Sequence, residues 1–327
     1  MEAVQPKISI VTPSYNQANY IEQTILSVLD QGYPNLEYIV IDGGSTDGTR
    51  AILEKYAHRI SYWASEPDLG QSDALNKGLA KCTGEIFNWL NSDDYLEPGS
   101  LFKIAGIFNE TQADIVCGNC RLFLDSSNGT IQTHRTEIFA SAEETLVQQK
   151  INQPAMFYRL NVIKELGGIN TNLHYVMDLE LFWRYLAQFG QDRIVLTDAM
   201  VAHFRLHDLS KTGAHEEKFR AEEKNVLAYV LRKISAGNDW TNYFSTKNTY
   251  ENASWNFSKI SREKLLNVLS EQYLYRIYAS GNRSLARKAF AQQWRNSKVK
   301  FSVQQIAMFV KLYIGNIPFR KLLAKNG

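Results

Sequence analysis

The sequence has few cysteines and lacks a long apolar run, and each shortage excludes a class of protein. Three cysteines in 327 residues are too few for a disulfide framework. Cys117 and Cys120 have CxxC spacing, but no second pair completes a zinc site, so we interpret them as thiols in or near a strand. No stretch reaches the roughly 18 uncharged apolar residues that a membrane-spanning helix needs.

Common phosphate-binding and export signals are missing as well. No G-x-G-x-x-G follows the first strand-like run, and no G-x-x-x-x-G-K-[ST] occurs, which argues against a dinucleotide-binding loop and a P-loop. The opening MEAVQPKISIV is acidic and enters a strand pattern at once, which is unlike a signal peptide. With so few cysteines, this favours a reducing, cytoplasmic setting.

Charge is unevenly distributed along the chain. Residues 272–327 contain eleven Lys and Arg and no acid, which leaves 25 basic and 34 acidic groups elsewhere. Aromatic and aliphatic residues interleave with these cations, as in segments that lie on an anionic membrane surface. A basic helix packed on the protein and an oligomer contact are the alternatives. No nucleic-acid-binding module is recognisable, so we predict no nucleic-acid partner.

The first third of the chain alternates apolar runs with helical periodicity. The strand-like runs are KISIVTPSY, LEYIVID, RISYWAS and EIFNWL. This alternation predicts an α/β fold with a mostly parallel sheet and helices on both faces. Ligands of such sheets bind outside the carboxyl ends of the strands.

The pattern changes after about residue 112. Strand-like runs, with a hairpin predicted around DSSNG, lead to the strong helix MDLELFWRYLAQFG and then to further strands. From about residue 212 the chain reads as mostly helical. We therefore predict a first domain over residues 1–211, with a change of character near 112, and a helical, C-terminally basic extension over 212–327.

Acidic residues follow two of the predicted strands. Asp42 ends the second strand, and Asp93 and Asp94 follow the fourth. Neighbouring carboxylates at a strand end suit a hard divalent cation whose shell is completed by water and phosphate oxygens. A solvated turn with a helix cap is the alternative for the pair, and a turn-forming aspartate is the alternative for Asp42.

Together, TPSYN, DGGSTDGT, LNSDD and the acid-bearing later helix resemble glycosyltransferase family 2, over roughly residues 7–206. The resemblance implies a GT-A fold with a nucleotide-sugar half, about 1–112, and an acceptor half, about 113–211. It implies transfer of a hexosyl or N-acetylhexosaminyl group from a nucleotide diphosphate donor, with inversion at the anomeric carbon. A UDP-sugar is the expected donor, and Mn²⁺ or Mg²⁺ is the expected cofactor.

The resemblance also implies binding roles for individual residues. It places Thr12, Tyr15 and Asp42 around the nucleotide base and ribose. Asp68 and Gln71, in the loop EPDLGQSD, are expected to border the nucleotide, with an ordinary polar loop as the alternative. Asp93 takes the place in the family's D-x-D motif that meets the metal and the diphosphate, and Asp94 lies beside it. Asn91 replaces the first acid of that motif, so the site loses one negative charge. His207 matches a family histidine near the metal better than His203 does, with a structural histidine as the alternative.

Asp178, near the start of the later helix, is the implied catalytic base. An inverting transfer needs one carboxylate to take the proton of the acceptor hydroxyl as the anomeric carbon is attacked. A helix N-cap is the alternative role for Asp178, and Glu180 is the competing base on another side of the helix. Met177 stands where the family often has a second acid.

These observations predict an inverting glycosyltransferase that builds a surface polysaccharide or glycolipid. We expect a glycan or polyprenyl-linked acceptor and peripheral attachment to the inner face of the plasma membrane. A non-catalytic scaffold with the same fold is the alternative that Asn91 and Met177 leave open. A metal-dependent hydrolase of nucleotide diphosphates, with water as acceptor, is the third. No motif encodes the sugar, the acceptor, the linkage or the oligomeric state.

Overall fold

The protein is described by a computed structural model that covers residues 5–124, 130–207, 210, 215–246, 250–251, 255–296 and 303–314. Its strands are β1 (Ile8–Ser14), β2 (Leu36–Asp42), β3 (Tyr62–Ser65), β4 (Ile86–Trp89), β5 (Tyr95–Leu96), β6 (Ile115–Leu124), β7 (Thr130–Arg135), β8 (Met156–Arg159) and β9 (Ile194–Leu206).

The helices in these residues fall into two groups. Those among the strands are α1 (Ile21–Leu29), α2 (Thr49–Tyr56), α3 (Gln71–Leu79), α4 (Ser100–Glu110), α5 (Ala142–Gln148), α6 (Leu160–Glu165) and α7 (Met177–Phe189). Those of the extension are α8 (Glu216–Lys233), α9 (Asn238–Phe244), α10 (Arg262–Ala279), α11 (Arg283–Asn296) and α12 (Val303–Phe309). A 3₁₀ turn (Gln153–Ala155) precedes β8, and a π-helical turn (Val310–Ile314) follows α12.

The strands form one mixed sheet in the order β3-β2-β1-β4-β8-β6-β9-β5, and β7 pairs with β6. The strands β1 to β4 run parallel, β8 is antiparallel to both neighbours, and β6 and β9 are again parallel to each other. The predicted fold class, a mostly parallel sheet between helices, is confirmed. The carboxyl ends of β1, β2, β3 and β4 therefore meet at one edge.

Side-chain alternation in the strands creates a core on each face of the sheet. Ile10 and Val40 point to the face covered by α1 and α4, whereas Val11 and Ile41 point to the face covered by α3 and α7. Buried parallel strands are apolar on both sides, which is why these runs contain so few polar residues. Packing in these two cores fixes the positions of the strand ends, and with them the polar loops that follow β1, β2, β3 and β4.

The extension packs on the second of these cores. Val226 and Leu227 of α8 and Leu265 of α10 are buried in the same cluster as Phe182 and Trp183 of α7. No helix among the described residues is long and apolar enough to cross a membrane. The predicted boundary between residues 211 and 212 stays a prediction, and the packing shows that the chain after it shares a core with the chain before it.

The later strands differ in detail from the expectation. The run expected to form several strands is one long strand, β9, which pairs with β6 through two register shifts. The predicted hairpin partners β6 and β7 are antiparallel neighbours, and its turn, residues 125–129, lies outside the described residues. Cys117 and Cys120 of β6 are buried in the cores on opposite faces of the sheet. Their thiols therefore belong to two different packing environments.

Candidate functional site

The loops that follow β1 and β2 are tied together by side chains of the DGGSTDGT stretch. The Asn16 N–H donates to Ser45 Oγ at 2.7 Å, and the Ala18 N–H donates to Asp47 Oδ2 at 2.9 Å. The amide of Asn16 returns the contact, because its Oδ1 accepts the Thr46 N–H at 3.0 Å. Serine, threonine and aspartate are suited to this role because their short side chains satisfy backbone groups in turns.

Asp42, at the end of β2, fixes the conformation of the loop that follows it and joins that loop to the end of β3. Its buried carboxylate accepts hydrogen bonds from the N–H and hydroxyl of Ser45 and from Ser65 Oγ. A Cβ on the following residue, Gly43, would lie 2.8 Å from Asp68 Oδ2, so a larger residue there would displace the Asp68 side chain. Asp68 thus lies against the segment that follows Asp42 at the carboxyl edge, and its Oδ1 accepts the Gly70 N–H at 2.8 Å.

Two more of the residues predicted at the nucleotide, Thr12 and Tyr15, have different environments. Thr12 is fully buried, and its Oγ1 lies 3.0 Å from the hydroxyl of Tyr38. Its side chain faces the core, so it supports the strand and does not present its hydroxyl to a ligand. Tyr15, three residues on, is 62% exposed beyond the end of β1. An exposed ring at this edge can stack on a nucleotide base.

The loop with the two acids is held from both sides. Thr24 Oγ1, from α1, lies 2.9 Å from the Ser92 carbonyl oxygen and 2.6 Å from that of Asp94. Arg205, near the end of β9, donates its backbone N–H to Asp94 Oδ1 at 2.9 Å and its Nε–H to the Asp93 carbonyl at 3.0 Å. Sequence reasoning did not select Arg205, because the contact depends on how β9 crosses the sheet.

Asp93 and Asp94 point in different directions. Asp94 is buried, and burial together with the neighbouring charge of Asp93 raises the pKa of its carboxyl well above the ordinary value. Asn91 places its Nδ2 3.4 Å from Asp94 Oδ2 and accepts from Gln71 Nε2 at 2.8 Å. An acid at position 91 would add a third negative charge beside Asp94, whose ionised form is already disfavoured by burial and by the charge of Asp93. The amide instead supplies a donor.

Asp93 and His207 are the pair that could hold a cation. His207 Nε2 lies 3.1 Å from Asp93 Oδ2. Within the described residues, no group of three or more His, Cys, Asp and Glu side chains is placed to hold a metal ion. The pair nevertheless fits Mg²⁺ or Mn²⁺ bound to a diphosphate, because such ions take most of their ligands from water and phosphates. His203 is engaged elsewhere, since its Nε2 lies 2.6 Å from Glu97 Oε2.

Asp178 lines a cavity of about 510 Å³, and Gln71 and Asn91 line the same cavity. The residue is the second of α7, whose N-cap, Val176, makes no side-chain capping bond. Burial raises the pKa of the Asp178 carboxyl, although hydrogen bonds from backbone N–H groups at the start of the helix lower it in part. A carboxylate with a raised pKa beside a cavity is suited to accept a proton.

Glu180 has a different environment and does not share the cavity. It is fully buried, Arg184 Nη2 lies 2.8 Å from its Oε2, and Tyr250 donates a hydrogen bond to its Oε1 at 2.6 Å. A buried carboxylate paired in this way stabilises the packing between α7 and the extension. The geometry therefore favours Asp178 over Glu180 as the proton acceptor.

Comparison with known proteins identifies the family. The family model named Glycosyl transferase family 2 matches residues 9–182, more than half of the chain. The protein belongs to glycosyltransferase family 2. An uncharacterized glycosyltransferase of Rickettsia typhi, RT0329, is 28% identical over 237 residues, which cover 70% of this chain and 73% of that protein. TuaG of Bacillus subtilis, a putative teichuronic acid biosynthesis glycosyltransferase, is 43% identical over 102 residues, 30% of this chain and 40% of TuaG.

Solved structures share the fold of this family member at low sequence identity. The fragment TarS 1-349 of S. aureus in complex with UDP-GlcNAc has a TM-score of 0.54 at 18% identity, covering 91% of this chain and 94% of that fragment. The mannosyltransferase PcManGT of Pyrobaculum calidifontis, solved with GDP-Man and Mn²⁺, has a TM-score of 0.53 at 19% identity, covering 98% of this chain and 84% of PcManGT. These matches support the GT-A architecture.

The hydrogen bonds of Arg205 to the loop of Asp93 and Asp94 predict that Arg205→Gln is less stable than the parent protein. The variant keeps the backbone bond to Asp94 but loses the guanidinium bonds from Nε to the Asp93 carbonyl and from Nη2 to Gln23 Oε1, which lowers the free energy of unfolding by about 1.5–3 kcal/mol. Urea unfolding measures the change. Arg283→Gln, at an exposed arginine on α11, is the matched control and should stay within about 0.5 kcal/mol of the parent. Equal stability of Arg205→Gln and the control would contradict the assignment.

Proposed function

We propose that this protein is an inverting glycosyltransferase that transfers a sugar from a UDP-linked donor to a glycan or polyprenyl-linked acceptor. The observation that carries the proposal is that Asn91, from the same short loop as Asp93, and Asp178 line one cavity. Donor-side groups and a candidate base thus border one space that can hold a sugar and an acceptor hydroxyl.

Several relatives support the choice of donor and pathway. TarS has been solved with UDP and with UDP-GlcNAc, and PcManGT with GDP-Man, so nucleotide diphosphate sugars are the donor class of these neighbours. TuaG is a putative glycosyltransferase of the biosynthesis of teichuronic acid, a polysaccharide. By analogy, we propose synthesis of a surface polysaccharide or glycolipid, with a hexosyl or N-acetylhexosaminyl group transferred.

The donor half of the proposed reaction uses the carboxyl edge of the sheet. Tyr15 stacks on the base, and the loop ordered by Asp42 and Asp68 borders the ribose. Asp93 and His207 would hold Mn²⁺ or Mg²⁺ on the diphosphate, where the cation offsets the charge that develops as the diphosphate leaves. Asp94, turned inward, positions the loop through its bond to Arg205.

The acceptor half of the reaction uses Asp178. Its carboxylate removes the proton of the acceptor hydroxyl while that oxygen attacks the anomeric carbon from the face opposite the diphosphate. The new bond to the acceptor oxygen forms as the bond to the diphosphate oxygen breaks, which inverts the anomeric carbon. The proton stays on Asp178 until it is released to solvent.

Nucleotide binding is the first property to test. We expect UDP with Mn²⁺ to raise the melting temperature of the protein more than GDP, TDP or CMP does, because a ligand of the folded state stabilises it by mass action. The metal-dependent part of the shift should disappear in Asp93→Asn. A matched variant, Asp192→Asn, changes an exposed acid outside the site and should keep the full shift. If no nucleotide stabilises the parent protein, the non-catalytic scaffold becomes the better explanation.

Asp178→Asn should lower the transfer rate by about 10²–10⁴-fold, because the amide cannot accept the proton. The nucleotide-induced melting shift should remain. In the parent enzyme, kcat/KM should fall as the pH drops through the raised pKa of Asp178, at a pH above its ordinary value of 3.8, because the protonated carboxyl cannot act as a base.

The comparison again uses Asp192→Asn, which should turn over normally. Near-normal transfer by Asp178→Asn would assign the base to another group. Release of free sugar with equal efficiency in the presence and absence of acceptors would favour the hydrolase.

We further propose that the basic end of the chain places the enzyme on the cytoplasmic, inner face of an anionic membrane. Trp294, Phe309 and Tyr313 are large exposed side chains on α11, α12 and the π-helical turn. Their rings are close together. The ring centroid of Phe309 lies 6.0 Å from that of Trp294 and 5.1 Å from that of Tyr313. Exposed aromatic rings among cations are typical of segments that lie in a membrane interface. Residues 315–327 lie outside the described residues.

Binding to vesicles that contain phosphatidylglycerol tests this surface. Combined Trp294→Ala and Phe309→Ala should weaken vesicle binding by about tenfold or more, because buried aromatic area contributes to interfacial affinity. Added salt should weaken the binding of the parent protein. Phe102→Ala, at an exposed phenylalanine on α4, is the control. Vesicle binding that is equal in all three proteins would disprove the membrane assignment.

A further inference from the structure

The extension is attached to the segment that carries the candidate base. Glu222 of α8 accepts hydrogen bonds from three consecutive backbone N–H groups, those of His174 at 3.0 Å, Tyr175 at 2.8 Å and Val176 at 3.1 Å. These residues immediately precede α7, where Asp178 is the second residue. A carboxylate that accepts hydrogen bonds from backbone N–H groups at the start of a helix is stabilised by those bonds and by the positive end of the helix dipole. The position of α8 relative to Asp178 is therefore set by direct contacts.

The same helix contributes to the cavity beside Asp178. Phe219 and Glu223 of α8 line it, and both lie beyond residues 9–182, the part matched by the family model. One wall of the cavity is thus built by a part of this chain that the family definition does not cover.

Glu223 is held in place by Gln149, the residue at the end of α5. Its Oε1 accepts a hydrogen bond from Gln149 Nε2 at 2.9 Å, and Gln149 also lines the cavity. Gln149 is the C-cap residue of α5, with a left-handed φ of +57°, and its backbone N–H donates to the Thr145 carbonyl, which is a common way for a helix to end. The end of α5 therefore fixes the position of the Gln149 side chain at the cavity.

The chemistry of this wall suits a carbohydrate. A carboxylate accepts hydrogen bonds from sugar hydroxyls, and an amide can donate or accept. Phe219 packs edge-on against Tyr175, with ring centroids 5.2 Å apart, and both rings line the cavity. Aromatic rings bury the apolar C–H face of a sugar, and a few fixed polar groups orient it, which is the usual composition of a ligand pocket.

We propose that α8 forms the acceptor subsite, in which Glu223 binds a hydroxyl of an acceptor sugar and Phe219 contacts its ring. Glu222 is a positioning residue that keeps this wall in register with Asp178. The proposal rests on the proposed function, because it assigns the acceptor of that reaction. It places acceptor selection in the extension, while the donor groups lie on the sheet.

Glu223→Gln tests the proposal with little change of shape. The probe is a printed array of bacterial surface oligosaccharides, incubated with the protein and UDP–Mn²⁺. We expect the affinity for the preferred oligosaccharide to fall about 10- to 100-fold, the effect of losing one hydrogen bond to a charged group. Phe219→Ala should change the order of preference among the oligosaccharides. Glu217→Gln, an exposed acid on the same helix, is the matched control and should bind as the parent does.

The readouts separate this proposal from a purely structural role and from failure of the proposed function. In Glu223→Gln, the melting temperature and its shift with UDP–Mn²⁺ should be unchanged, because the groups proposed to bind the nucleotide lie on the sheet. Unchanged oligosaccharide affinity in Glu223→Gln, or no oligosaccharide binding by a parent protein that UDP–Mn²⁺ stabilises, would overturn the subsite. Absence of nucleotide stabilisation in the parent would instead count against the glycosyltransferase function, and the subsite would fall with it.

Discussion

Two adjacent carboxylates follow β4 at the edge of the sheet, and the rest of the site depends on how their mutual repulsion is relieved. Asp94 is turned into the protein, where it accepts the backbone N–H of Arg205 and lies near the amide of Asn91. Asp93 is left at the edge, next to His207. Each acid thus has a separate environment, which is how one short loop can supply both a structural anchor and a candidate cation ligand.

The topology of the sheet makes this arrangement possible. β9 runs parallel to β6 and pairs with β5 through Tyr95 and His203, so its end arrives beside the loop that precedes β5. That path delivers Arg205 and His207, more than a hundred residues away in the chain, to the two acids. At the carboxyl edge, the parallel strands bring the loops that follow β1, β2 and β3 together, where hydrogen bonds from side chains hold them. The rigid scaffold positions the loops, and the loops carry the chemistry.

The helices after the sheet add a second constraint. Glu180 of α7 is buried against Arg184 and Tyr250, and Glu222 of α8 binds the backbone before α7. These contacts tie the helix with Asp178 to the extension through buried polar groups that need their partners. A change in the extension can therefore alter the wall of the cavity that lies beside Asp178 without touching the loops at the carboxyl ends of β1 and β2.

The sequence by itself determined the fold class, the family and the strand ends where the acids lie, because apolar periodicity and short turn motifs are local properties of the chain. The strand pattern also predicted that Asp42 and Asp93 follow the carboxyl ends of β2 and β4, where the structure has them. Only the tertiary structure separated Asp93 from Asp94, turned Thr12 into the core and gave Glu180 a buried partner, since burial depends on contacts between distant segments. For the same reason, nothing in the sequence indicated the role of Arg205. A single arginine in a strand matches no motif, and its contacts with Asp93 and Asp94 exist only because the sheet brings the two segments together.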